Sequence, residues 1–107
     1  MYYLFIWDRS RYSESNWQNA VLAKFGIPLD LARILFDLDP TKFPLLSILS
    51  ASDHDLFGGD ELDLLVHELH RVDSMNPVFS DSINSMAKLI LEAKSLGQCV
   101  LFDPFRE

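Results

Sequence analysis

An unbroken apolar run, YYLFIW, occupies residues 2–7 near the start of the chain. Most of its residues are aromatic, and aromatic and β-branched residues are enriched in strands. Because the apolar side chains do not alternate with polar ones, we expect both faces of this strand to be buried. The run therefore predicts a central strand, and the other elements are assigned around it.

Two shorter apolar runs predict further strands, LLSIL at residues 45–49 and QCVLF at residues 98–102. Amphipathic spacing and turn residues predict four helices between the three runs. Their approximate ranges are 16–25 (ended by Gly26), 29–37, 60–73 and 79–96.

The order of these elements predicts the fold. Long helical crossovers between successive strands favour parallel pairing with right-handed connections. We therefore expect an α/β fold with a three-stranded, mainly parallel sheet and four helices in β-α-α-β-α-α-β order, with the first strand in the middle. A chain of 107 residues is about the size of one small domain, so residues 1–107 are assigned to a single domain.

Composition limits the compartment and the class of protein. Apolar residues make up 49% of the chain, which is typical of a folded globule. No segment reaches the ~20 apolar residues that cross a bilayer, and the start lacks the basic region of a secretory signal. The single cysteine, Cys99, cannot form an internal disulfide, which fits a reducing compartment. We expect a cytoplasmic protein that does not bind membranes.

Negative charge is concentrated in one segment of the chain. The net charge is −7, and residues 53–73 contribute −6 of it, since they hold seven acids and only Arg71 as a base. Nucleic-acid phosphates would be repelled by such a surface, so nucleic acid is excluded as a partner. A basic protein is favoured instead.

The acidic segment begins with SASDHDLFGGDELD, residues 50–63, which has some features of a calcium loop. An EF-hand loop needs oxygen ligands at positions 1, 3, 5 and 12. With Asp53 at position 1, position 5 is Phe57 and position 12 is Leu64. The register therefore excludes an EF-hand.

The sequence VHELHR places His67 and His70 three residues apart, whereas a zincin helix needs a spacing of four. Both histidines project from the same helical face as Asp60 and Asp63. We interpret that face as solvated, with Asp63 and His67 as an i, i+4 pair, because structural zinc usually recruits cysteine and this region has none. No metal ligand and no cofactor are assigned.

One enzyme class remains as the alternative function. Asp8, Asp53 and Asp103 each follow a predicted strand. In a parallel sheet their carboxylates would share one edge, where Mg²⁺ for phosphotransfer or phosphatase-like chemistry could bind. The first strand lacks the Asp-x-Asp pattern of haloacid-dehalogenase-type phosphatases, and no glycine-rich phosphate loop follows any strand. The leading interpretation therefore assigns no catalytic residue.

Part of the acidic segment has a local structural explanation. Gly58 and Gly59 break the chain before a helix, Asp60 suits the N-cap, and Glu61 and Asp63 lie in the first turn, where they favour the macrodipole. The interaction of each acid with the macrodipole stabilises the helix by only about 0.3–1 kcal/mol. It does not explain why Lys and Arg are nearly absent from the segment. Leu56 and Phe57, between the two groups of acids, are candidate apolar anchors for a partner.

Three segments resemble parts of small bacterial immunity proteins, including those of contact-dependent growth inhibition systems. They are FPLLSILSASD (43–53), GDELDLLVHEL (59–69) and GQCVLFDPF (97–105). The resemblance implies a cognate toxin, often a basic nuclease, that is neutralised by binding.

The sequence thus predicts an immunity or inhibitor protein, not an enzyme, that binds a cognate protein toxin with a basic surface. Charge distribution assigns the acids among the binding residues, whereas Phe57 is included as an apolar anchor and His67 as a residue that tunes the surface with pH. The full set is Asp53, Asp55, Phe57, Asp60, Glu61, Asp63, His67 and Glu68.

Overall fold

The computed structural model describes residues 2–8 and 21–104. Four strands in these ranges form one sheet of order β2-β1-β4-β3, in which every neighbouring pair is antiparallel. The strands are β1 (Tyr2–Trp7), β2 (Val21–Ile27), β3 (Asp55–Phe57) and β4 (Cys99–Asp103). The helices are α1 (Leu29–Phe36), α2 (Glu61–Met75) and α3 (Ser80–Ser95), with 3₁₀-helical turns at Leu46–Ile48 and Pro77–Phe79.

The predicted three-stranded, mainly parallel sheet with four helices is therefore wrong. The prediction for the first apolar run is confirmed, because β1 is an interior strand buried on both faces. Leu4 and Ile6 lie on the core face, which packs against the helices. Phe5 and Trp7 lie on the opposite, outer face in a smaller cluster with Leu101.

The antiparallel pairing of β3 with β4 follows from the two helices that connect them. A single helix would carry the chain back to the start of β3, and the next strand would be parallel. Here α2 leads away and α3 returns, so β4 begins where β3 ended, with Phe57 opposite Val100. The sequence prediction treated this helix pair as one crossover and therefore assigned the wrong direction.

Strand β2 replaces part of the helix predicted over residues 16–25. The apolar residues that suggested the helix are spaced by four, and a spacing of four also places residues on one face of a strand. From Val21 to Phe25 the burial alternates with a period of two, as in an edge strand with one solvated face. Residues 16–20 of the predicted helix lie outside the described residues.

The strand predicted at residues 45–49 is instead the 3₁₀-helical turn Leu46–Ile48. The backbone N–H groups of Leu45 and Leu46 donate to the side chain of Glu68, so they do not enter a sheet ladder. The third predicted strand, residues 98–102, is confirmed within one residue as β4.

Helices α2 and α3 confirm the ranges predicted from apolar spacing, residues 60–73 and 79–96. They pack against each other, and α3 also lies against β1, β2 and β4. Most of the apolar residues whose spacing predicted these two helices are buried in the core between the sheet and the helices. Among the described residues, no helix is long and apolar enough to cross a membrane.

Candidate functional site

The most acidic exposed part of the described structure lies around edge strand β3. We name residues 53–61 the acidic edge. It comprises the end of the loop before β3, the strand itself, the glycine turn and the first residue of α2. Asp53, Asp60 and Glu61 are exposed there. No described Lys or Arg forms an ion pair with these three, and their one ion-pair contact within the described residues joins His54 Nδ1 to Asp53 Oδ1 at 3.7 Å.

The glycine turn sets the direction in which α2 leaves the sheet. Gly59 has a φ of 60°, a left-handed conformation that favours glycine. The Glu61 N–H donates to the Gly58 carbonyl at 3.2 Å, and the Gly58 N–H donates to Glu61 Oε1 at 3.3 Å. Asp60 occupies the N-cap position as predicted, but its side chain makes no capping hydrogen bond. Its carboxylate is therefore available to a partner.

The charge of Asp63 is balanced within the protein. Lys94, near the end of α3, donates to both oxygens of the Asp63 carboxylate at 2.8 Å. Both side chains are about half exposed. A partner would meet an ion pair at this position instead of an isolated carboxylate.

Glu68 is buried, with 4% of its surface exposed, whereas the sequence suggested an exposed carboxylate. Its Oε1 accepts from the amide nitrogen of Leu46 at 3.0 Å and from that of Leu45 at 3.2 Å, and its Oε2 lies 3.3 Å from the latter. These contacts fix the 3₁₀-helical turn against α2. We therefore place Glu68 in the framework of the fold and not on the proposed partner surface.

The two candidate apolar anchors point to opposite faces of the sheet. Phe57 is 4% exposed and packs edge-on against Phe102, with ring centroids 5.9 Å apart. Leu56 is 41% exposed and lies opposite Leu101, which belongs to the outer-face cluster. Of the two, only Leu56 presents a substantial surface to a partner.

Asp55 is held in a partly desolvated position. Its Oδ2 is buried without a hydrogen-bond partner, and so is the phenolic oxygen of Tyr2. Burial, and secondarily the nearby charge of Asp53, raises the pKa of the Asp55 carboxyl above its ordinary value. Burial, together with the Asp55 charge, also raises the pKa of Tyr2. Asp55 contributes to the local negative potential but does not extend freely into solvent.

The polar face of α2 is solvated, as the sequence indicates, but Asp63 pairs with Lys94 and not with His67 as expected. His67 and His70 are exposed, as are Asp60 and Asp63. Within residues 2–8 and 21–104, no group of three or more His, Cys, Asp or Glu side chains could hold a metal ion.

The carboxylates of the alternative phosphotransfer enzyme do not share one edge of the sheet. Asp103 pairs with Tyr3 at the start of β1, whereas Asp8 follows the end of β1. At about 3.3 Å per residue the two positions are about 16 Å apart along the strand. The antiparallel sheet therefore separates the residues that a parallel sheet would have gathered.

Comparison of the chain with protein-family models, curated proteins and solved structures finds no match. The acidic edge is accordingly assigned from its geometry and charge. The sequence located its acids, but two features of the longer acidic segment, residues 53–73, were not predicted. These are the pairing of Asp63 with Lys94 and the buried role of Glu68. Helical spacing was the available signal, because Glu68 lies three residues after Leu65 and four before Val72, which are both buried on the core face of α2.

Proposed function

We propose that this chain is an immunity-type inhibitor that binds a cognate basic protein toxin through the acidic edge. The observation that carries the proposal is the position of Asp53, Asp60 and Glu61. These exposed carboxylates surround a sheet edge, and no described Lys or Arg is paired with them. The resemblance of three segments to immunity proteins supports the same class of partner.

The physical role of these carboxylates is to steer association. A concentrated patch of one sign attracts a partner of the opposite sign, and it raises association rates by about 10–10³-fold at low salt. Salt screens exposed charges over about 8–10 Å, so this contribution falls as ionic strength rises. Net affinity additionally needs a desolvated apolar contact, for which Leu56 is the exposed candidate.

The test compares two charge-reversal variants in a growth-protection assay. The toxin candidate is the growth-inhibiting product of the adjacent reading frame. The first variant carries Asp60→Lys and Glu61→Lys. The second carries Asp30→Lys and Asp81→Lys, which reverse two exposed acids in the first turns of α1 and α3. Both variants remove two acids from helix N-termini, so they are matched for the loss of favourable macrodipole interactions.

We expect the wild-type chain and the second variant to protect cells, and the first variant to lose protection. Binding by purified proteins should show the same order, with an association rate that falls with salt for the wild type. If both variants lose protection equally, and circular dichroism shows that both are folded, the acidic edge is not the surface that binds the toxin. If the wild-type chain does not protect cells, the proposal that it inhibits the product of the adjacent reading frame is wrong.

A further inference from the structure

We infer that the partner adds an extended basic segment to the edge of β3 that faces away from β4, with an apolar side chain of that segment against Leu56. This inference rests on the proposed function and specifies how the partner is held. It follows from the sheet order, the exposure of Leu56 and the charges on either side of the strand.

Strand β3 is an edge strand of the sheet that residues 2–8 and 21–104 form. It pairs with β4 along one edge, and no described strand lies along the other. The backbone of an edge strand can hydrogen-bond to an added strand, a recurring mode of peptide recognition. The backbone supplies the hydrogen bonds in this mode, and side chains on the strand supply the specificity.

The side chain at the centre of β3 provides an apolar contact. Leu56 lies between Asp55 and Phe57, which face the core, so it projects to the outer face beside Leu101. Leu101 is buried, and Leu56 extends this apolar surface to the rim of the sheet with 41% exposure. An apolar side chain on an added strand would cover Leu56, in the manner of an interface anchor.

The charges select a basic segment. Asp53 precedes β3, and Asp60 and Glu61 follow it, so exposed carboxylates stand on both sides of the apolar contact. A partner strand with an apolar centre and Lys or Arg on each side complements this pattern. The opposite edge of the sheet, β2, carries the exposed base Lys24 at its centre and no acid, so the two edges differ in charge.

A second copy of this chain fits the β3 edge poorly. Pairing β3 with β3 of another copy would bring two sets of carboxylates together, and like charges directly opposite each other are destabilising. Each chain also carries a net charge of −7, which disfavours self-association. The favoured occupant is therefore a basic strand of a different protein.

The test uses three fluorescein-labelled peptides and the intact protein. The first alternates lysine and valine and can form a strand. The second carries the same lysines but has proline in place of the valines, so it cannot pair as a strand. The third alternates glutamate and valine. Leu56→Ser is compared with Leu22→Ser, which removes a leucine of similar exposure (39%) from the other edge strand.

We expect the lysine–valine peptide to bind with a Kd below about 1 mM and to bind at least about fivefold more tightly than the proline peptide. The Leu56→Ser variant should weaken binding about fivefold, and Leu22→Ser less than about twofold. Bound peptide should slow amide exchange in residues 55–57 relative to residues 21–27.

Each opposite result overturns the inference. Equal binding of the lysine–valine and proline peptides would show that charge alone accounts for the affinity. That result would contradict strand addition but would remain consistent with the proposed acidic surface. Protection of β2 amides, or a larger effect of Leu22→Ser, would place the added strand at the wrong edge. No binding of either lysine peptide, or equal binding of the glutamate peptide, would overturn both the inference and the role of the acidic edge.

Discussion

The amide nitrogen of Leu46 lies 3.0 Å from Oε1 of Glu68, across 22 residues of chain. This contact joins the 3₁₀-helical turn to α2 through a buried carboxylate, which also accepts from the Leu45 N–H. Hydrogen bonds to charged groups stabilise more than neutral ones, and a buried donor without an acceptor is costly. Glu68 thus contributes to the fold although it lies in the most acidic segment of the sequence.

The first prediction concerns this buried carboxylate. Glu68→Ala leaves the N–H groups of Leu45 and Leu46 without their acceptor, and we expect the free energy of unfolding to fall by about 2–3 kcal/mol. Glu68→Gln keeps one acceptor oxygen and should lose less. Urea denaturation provides the measurement, with Glu92→Ala on the exposed side of α3 as the control. A loss for Glu68→Ala no larger than that for the control would contradict the assigned role.

The second prediction concerns the close approach of Gly58 to Cys99. A Cβ atom at position 58 would lie 2.8 Å from the Cys99 Sγ, which is shorter than side chains tolerate without moving. Gly58→Ala should therefore destabilise the protein by about 1–3 kcal/mol. In a Cys99→Ala background the close contact with the sulfur is absent and the Cβ of residue 99 lies at 3.8 Å, so the same substitution should cost less.

A double-mutant cycle by chemical denaturation measures this coupling. Gly59→Ala serves as the comparison, because its cost arises from the positive φ and not from contact with Cys99. The Gly59→Ala loss should be the same in both backgrounds. If Gly58→Ala costs as much without the Cys99 sulfur as with it, the steric explanation fails.

The third prediction concerns the pH dependence of stability at Asp55. Its pKa is raised in the folded state, so the folded protein binds this proton more readily than the unfolded chain does. The stabilisation is fully present below the ordinary carboxyl pKa, and it is lost as pH rises through the folded-state pKa. At pH values above the ordinary carboxyl pKa, ionisation of Asp55 therefore opposes folding.

Asp55→Asn should accordingly raise the melting temperature at neutral pH, and the gain should vanish below the ordinary carboxyl pKa. We expect less than about 1 kcal/mol, since the group is partly exposed and solvent screens its charge. Asp53→Asn should act in the same direction but more weakly, because the Asp53 charge is the second cause of the shift. A stability difference for Asp55→Asn that stays constant across this pH range would disprove the assignment.

The fourth prediction separates charge from stability at the Asp63–Lys94 ion pair. Lys94→Gln should change the free energy of unfolding by less than about 1 kcal/mol, because the pair is exposed. It also releases the Asp63 carboxylate, so association with a lysine-rich peptide should become faster at low salt. Lys88→Gln removes the same charge from elsewhere on α3 and provides the matched control for stopped-flow measurements. Equal acceleration by both variants would show that only net charge matters.

Local sequence predicted part of the fold well. The apolar run of β1 indicated an interior strand, and the leucine spacing around Leu65 and the apolar spacing around Met86 indicated α2 and α3. These signals are reliable because each depends on the burial period of one continuous segment. The acidic segment was equally visible, since charge is a direct property of composition. The sequence did not show which of these carboxylates are exposed, which are paired and which are buried.

Tertiary structure decided the remaining features, because they depend on contacts between segments distant in sequence. The α2–α3 pair returns the chain to the end of β3, which makes β4 antiparallel and separates Asp8 from Asp103. The sequence by itself determined that residues 53–73 carry most of the net charge. Packing of the turn at Leu46 against α2 placed Glu68 inside, because the buried N–H groups there require an acceptor.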